Sequence, residues 1–334
     1  MPRVRFSNNM GDWPIERQTP GGSRRWGELE FVAPGEDGAD EPDYWLVYEG
    51  LDEMEEARVA PGRVVYVTGE PEMKRHYDDR FLSQFGLVVT TQPRIRGANV
   101  VHAQPALPWH AGVVRRAGEG GEGPRDVAAL GYDEFRSILP AKVKELSVVC
   151  TSKAHVEGQR RRLAFVRQLA EHFGDRLDWF GRGVRPIADK WEAVAPYRFH
   201  VVLENTVEPH YWSEKLADAY LGLSYPVYWG CPNLGDYFAP EAFAPIDLDR
   251  SDEAIARIEQ LLDEGITPAR EQALLAARTH VLDRYNLFPA VAALLERCEA
   301  GPARAVRVRP AADFAPRRPL WRRAGSRALR SLRT

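Results

Sequence analysis

The feature that most constrains this chain is the strict alternation of strand and helix between about residues 145 and 230. "ELSVVCTS" is a short buried strand, and "RRRLAFVRQLAEHF" sets Leu163, Phe165, Val166, Leu169 and Phe173 at helical spacing. "LDWFGRG" reads as a strand ending in glycines, "YRFHVVLEN" as another strand, "SEKLADAYLGLS" as a helix and "PVYWG" as a strand again. Such βαβ units build a parallel sheet covered by helices, with ligands gathering at the carboxyl ends of its strands. Two more helices are expected at about 252–263 and 268–284.

The first half is less regular. Strands are expected at "PRVRFS", "DYWLVYEGL", "RVVYVTGE" and "FGLVVTT", separated by Pro, Gly and acidic residues. The glycine-rich "RRAGEGGEGPRD", residues 115–126, reads as a mobile surface loop or linker, because no strand-to-helix transition flanks it as a phosphate cradle requires. The reading divides the chain into residues 1–140, residues 141–300 and a basic tail, residues 301–334; no internal repeat is present.

Several classes drop out on composition. With 44% apolar and 28% charged residues among 334, the chain can bury the cores of two ordinary domains. No run approaches the ~18 apolar residues of a membrane span, and "MPRVRFSNNMGDW" lacks the apolar stretch of a secretory signal, so a cytoplasmic location is expected. Cys150, Cys231 and Cys298 lie far apart without CxxC spacing, which argues for buried thiols and against a zinc site or disulfide framework. The net charge of −3 conceals an asymmetry: residues 301–334 hold ten Arg and one Asp, so the first 300 residues carry −12.

The polar chemistry concentrates where "FHVVL" leaves the sheet. Glu204 and Asn205 follow the strand, Tyr211 and Trp212 come next, and Ser213 can cap a helix whose first turn holds Glu214 and Lys215. A helix N-terminus offers unpaired N–H groups and partial positive charge, so a diphosphate is a natural guest and Lys215 adds a full charge.

At this point the residues carry a resemblance. "FHVVLENTVEPHYWSEKLADAYLGLSYPVYWGCPNLGDYFAPEAFAPIDL" closely resembles the signature block of the α1,3/4-fucosyltransferases, glycosyltransferase family 10, of the bacterial type: F-x-x-x-x-E-N-[ST], a Tyr, [ST]-E-K, P-[VI]-x-x-G and F-x-P. The resemblance implies an α/β GT-B fold, two Rossmann-like domains facing a central cleft. It implies an inverting glycosyltransferase that moves L-fucose from GDP-fucose to a glycan hydroxyl, α1,3 on an N-acetylglucosamine-type sugar of a surface polysaccharide or lipopolysaccharide. It further implies that Glu214 binds the nucleotide ribose, Lys215 the phosphates, Asn205 and Tyr211 the donor pocket, and that Glu204 orients the sugar. "RLAFVRQL" is similar to the family's "RxxFxxxL" helix, which makes Arg162 the phosphate-binding arginine, with Arg160 and Arg161 one slip away. "VTGE" resembles the strand end that carries the general base, here Glu70, with Glu72 as competitor. Where many members read "DSGG", this chain has "DWFGRG", residues 178–183.

Sugar transfer from a nucleoside diphosphate builds negative charge on the leaving group, which fixed cations and helix N–H donors stabilise. Arg162 and Lys215 suit that role. No Asp pair with one intervening residue stands at a strand end of the second half, and "DLD" at 247–249 reads as the start of the next helix, so catalysis without a metal cofactor is expected. His76 and His110 are chemical alternatives to Glu70 as base.

Two alternatives stay open: transfer of another GDP-sugar, and a nucleotide- or polyanion-binding module without turnover. The Arg-rich tail lacks the motifs of nucleic-acid recognition, so no nucleic-acid partner is expected. Read as a helix from Leu320, it aligns Leu320, Ala324, Ala328 and Leu332 on one face with arginines around them. That pattern predicts a peripheral attachment to anionic lipid at the inner face of the cytoplasmic membrane.

Overall fold

The computed structural model describes residues 1–116, 125–152 and 157–314. Two parallel sheets face each other across a cleft, the GT-B arrangement. The first domain contributes β1 (Arg3–Asn8), β2 (Arg25–Trp26), β3 (Leu29–Val32), β4 (Tyr44–Tyr48), β5 (Glu55–Val59), β6 (Val64–Val67), β7 (Leu87–Thr90) and β8 (Val100–His102). All but β5 form one sheet in the order β2-β3-β1-β4-β6-β7-β8, parallel except at the β2–β3 edge. Its central strands are apolar throughout because both faces are covered. Leu46, Tyr48, Val65 and Val67 point into one core, Trp45, Val47, Val64 and Tyr66 into the other.

A hairpin, β9 (Val113–Arg116) and β10 (Arg125–Ala128), follows. Its strands take in both ends of the glycine-rich stretch read as a loop, and 117–124 lie outside the described residues. The second domain holds β11 (Lys144–Val149), β12 (Leu177–Phe180), β13 (Tyr197–Leu203), β14 (Tyr225–Trp229) and β15 (Ala244–Pro245), all parallel in the order β12-β11-β13-β14-β15. The helices, in chain order, are α1 (Asp79–Leu82), α2 (Tyr132–Ser137), α3 (Glu157–Phe173), α4 (Trp191–Val194), α5 (Glu214–Leu221), α6 (Ser251–Glu264), α7 (Pro268–His280) and α8 (Leu287–Leu295). The apolar stripe of α3 is buried as its spacing requires. Asp247 caps a short turn that leads into α6, so "DLD" does begin a helix.

The boundaries at 300 and 301 need correction. Leu287, Phe288, Val291 and Leu295 of α8 pack into the core of the first sheet with Val4, Phe6 and Phe31. Beyond it, β16 (Arg304–Val308) pairs antiparallel with β5 and buries Val308 against Trp45 and Tyr66. The chain therefore returns to the first domain after the π-helical turn Val281–Tyr285 that continues α7. α8 thus adds to the core on one face of the first sheet, beside Ile15 and Ala106, and β16 to the core on the other. The proposed tail helix, Leu320 onward, lies outside the described residues.

Candidate active site

The carboxyl ends of β4 and β6 meet that of β13 at one cavity, and a second adjoins it at the carboxyl ends of β11 and β13. One, of about 410 Å³, is lined by Glu49, Glu70 and Lys74 of the first domain and by Tyr211, Glu214 and Lys215 of the second. The other, of about 450 Å³, lies within the second domain and is lined by Arg162, Arg182, Lys190, Glu214, Lys215 and Asp218. His110 and Asn205 border both.

Ser213 caps α5, its Oγ accepting from Lys215 N at 3.3 Å, as the sequence predicts. Lys215 Nζ donates to Ser213 Oγ at 2.9 Å, Glu214 Oε1 at 3.2 Å and Glu204 Oε2 at 3.4 Å. Lys190 Nζ lies 3.5 Å from Glu214 Oε1 and 3.2 Å from Asp218 Oδ2. Burial alone would push the Glu214 carboxyl up, but Lys215 and Lys190 overcome it and hold the group well below the usual carboxylate range. Burial opposes the charge on Lys215 too, and Glu214 with Glu204 keeps it above the ordinary lysine value. Both groups are thus charged at neutral pH.

Glu204 is placed differently from its expected role. It is fully buried and lines neither cavity, accepting from Ser213 N at 2.8 Å and Ser213 Oγ at 2.7 Å. Its stem lies against Gly230, where φ is 157° and an added Cβ would come within 2.4 Å of Glu204 Cγ. Glu204 holds the cap and Lys215 from beneath, and its carboxylate opens on neither cavity. Tyr211 lines the first cavity, its hydroxyl pKa raised by burial.

Of the three arginines, Arg162 turns inward. It donates to Leu203 O at 3.2 Å, and its buried Nε has no hydrogen-bond partner among the described residues. Arg160 pairs with Glu157 at 2.8 Å, and Arg161 pairs with Asp249 while lying over the Trp229 ring. The "DWFGRG" loop adds Arg182 to the second cavity.

Glu70 follows β6, lines the first cavity and pairs with Lys74. Glu72 pairs with Arg94 and lines neither cavity, which separates the two competitors by position. Its backbone N–H donates to Glu208 Oε2 at 3.0 Å, and Thr91 Oγ1 donates to Glu208 Oε1 at 2.5 Å, so a second-domain carboxylate ties the two domains together. His76 is exposed and outside the cleft. His110 borders both cavities, but burial, with Lys190 adding to it, drops its pKa to about 4.

Residues 140–265 match the model of glycosyltransferase family 10 (fucosyltransferase), C-terminal part. The second domain is thus similar to the C-terminal part of that fucosyltransferase family. The chain is 37% identical over 76 residues to the α-(1,3)-fucosyltransferase FucT of Helicobacter pylori, covering 22% of this chain and 16% of that protein. It is 30% identical over 141 residues to α-(1,3)-fucosyltransferase 4 of Bos taurus, 40% of this chain and 35% of that one. The matches thus span about a third or less of the curated relatives. A crystal structure of α1,3-fucosyltransferase with GDP-fucose is 16% identical, with a TM-score of 0.44 over 86% of this chain and 93% of that one.

Sequence reasoning missed Lys190, Asp218 and Glu49. Asp218 sits one turn beyond Glu214 on the same face of α5, a spacing that could have revealed it. Its Oδ1 accepts from His110 N and Ala111 N at 2.9 Å, which fixes the segment between the domains onto α5. Glu49 could have been found by the strand-exit argument that selected Glu70. Lys190 stands in a short turn before α4 and carries no sequence signal.

Proposed function

We propose that this chain is an inverting fucosyltransferase, moving L-fucose from GDP-fucose to a hydroxyl of a glycan acceptor. The observation that carries this reading is the convergence of the capped N-terminus of α5, Lys215 and the unpartnered Nε of Arg162 on one cavity. The GDP diphosphate would lie against them, with Glu214 accepting from the ribose hydroxyls. The acceptor would enter the first cavity, where Glu70 takes the proton of the attacking hydroxyl. The new bond forms between that oxygen and the anomeric carbon as the bond to the β-phosphate breaks. GDP leaves with the electron pair, and attack from the side opposite the leaving group inverts the carbon. The names of the curated relatives support fucose as the sugar.

The stabilising charges in this reading come from Arg162 and Lys215, so the reaction needs no divalent metal. Acceptors are N-acetylglucosamine-type sugars of a surface polysaccharide or lipopolysaccharide, and the basic tail holds the enzyme at the inner face of the cytoplasmic membrane. The test is release of GDP from GDP-fucose, with and without a panel of β-galactoside and N-acetylglucosamine acceptors, in EDTA. The reading expects release that an acceptor stimulates and that persists in chelator. A binding module releases no GDP, and complete loss in EDTA would remove the metal-free step.

A further inference from the structure

Where β4 ends, Glu49 adopts φ 61°, in the left-handed region that few non-glycine residues occupy. Its backbone is fixed there from several directions. Glu49 N donates to Val67 O at 2.9 Å, and Tyr66 Oη and Arg75 Nη1 donate to Glu49 O at 2.9 and 3.2 Å. The side chain is laid across Gly69, where an added Cβ would fall 1.8 Å from Glu49 Oε1. Any other residue at 69 would displace the carboxylate.

This arrangement brings Glu49 into the first cavity beside Glu70, from adjacent parallel strands of one sheet. Glu70 is paired with Lys74, whereas among the described residues no donor hydrogen-bonds the Glu49 carboxylate. Burial pushes its pKa up, Glu70 and more weakly Glu214 add to that, and Arg75 and Lys74 oppose it. The half-buried carboxylate opens on the cavity, where a ligand hydroxyl can take the place of water as its donor. A backbone outlier held at a cavity by surrounding hydrogen bonds is the kind of local cost that a binding role explains.

We propose that Glu49 is a second acceptor-side carboxylate, which accepts a hydrogen bond from a sugar hydroxyl neighbouring the one attacked and so selects acceptors that carry that hydroxyl free. The inference rests on the transfer reaction proposed above. Glu49 takes no proton in the step; it orients the ring so that the reacting hydroxyl meets Glu70.

The test uses Glu49→Gln in the full chain, with an acceptor from the β-galactoside and N-acetylglucosamine panel that the wild type turns over. GDP affinity by calorimetry, within about twofold of wild type, reports that the variant is folded. The expected result is an acceptor KM raised about ten- to hundredfold, the loss of one charged hydrogen bond, with kcat lowered by less than about tenfold. Monodeoxy forms of the same acceptor sharpen it. One of them should raise the wild-type KM by a similar factor and leave that of Glu49→Gln unchanged. An unaltered acceptor KM in Glu49→Gln would overturn the inference. So would a fall in kcat of about a hundredfold or more at unchanged KM, which would make Glu49 the base. A wild type that turns over no panel sugar would instead overturn the reading beneath it, and this inference with it.

Discussion

The two cavities that meet at Asn205 and Lys215 are built from opposite chemistry. The second-domain cavity gathers Arg162, Arg182, Lys190 and Lys215, with Glu214 and Asp218 pinned by those lysines. The cavity that reaches the first domain sets Glu49 and Glu70 at adjoining strand ends. One side is organised to hold negative charge, the other to accept hydrogen bonds and a proton. That division suits a reaction in which a diphosphate leaves on one side while a hydroxyl loses its proton on the other.

If the division is real, substitutions on the two sides must fail differently. The largest effect belongs to Glu70→Ala, which should cut transfer by about 10²–10⁴ while leaving GDP affinity near wild type, measured by acceptor turnover and calorimetry. A parallel loss of GDP affinity would erase the division. Next come Lys215→Ala and Arg162→Ala, each expected to weaken GDP binding about ten- to hundredfold and to lower turnover with it. Arg161→Ala, which removes a surface pair with Asp249, should leave GDP affinity unchanged.

Two buried histidines give the second-domain cavity a pH signature. Burial drops the pKa of His110 to about 4 and of His200 to about 3, each helped by nearby lysines. The unfolded chain protonates both near ~6.5 while the folded chain does not. Stability is therefore fully present above that value and falls as pH drops, by about 1.4 kcal/mol per pH unit for each histidine. Thermal melts between pH 6.5 and 4.5 should show this decline, and His110→Gln should make it shallower. The smallest effect is reserved for Glu72→Ala, whose carboxylate pairs with Arg94 outside both cavities. Transfer by that variant should stay close to wild type, and its failure would return Glu72 as the base.

The same contrast explains how much was legible in the sequence. Glu204, Asn205, Tyr211, Ser213, Glu214 and Lys215 lie within twelve consecutive residues, because one strand exit and one helix start bring them together. Local pattern therefore placed Glu214 and Lys215 in the first turn of α5. It could not tell that Glu204 points under the helix, since that depends on Gly230, just after the next strand, leaving room for its stem. The first-domain wall joins residues from separate crossovers, and Glu49 depends on a left-handed turn and on Gly69, which no periodicity announces. The return of α8 and β16 to the first domain was hidden for a related reason. Their apolar residues specify burial, but only the two faces of the first sheet and the free edge of β5, far earlier in the chain, specify where.

In the reaction proposed above, this cleft transfers fucose from GDP-fucose to a sugar hydroxyl. That transfer is tested most directly by incubating the full-length protein with GDP-fucose or GDP-mannose and the β-galactoside and N-acetylglucosamine panel, with products read by mass spectrometry. The expected product is an acceptor heavier by one deoxyhexose residue with GDP-fucose, and none from the Glu70→Ala variant. A hexose adduct from GDP-mannose alone, or intact donor in every reaction while GDP still binds, would contradict it.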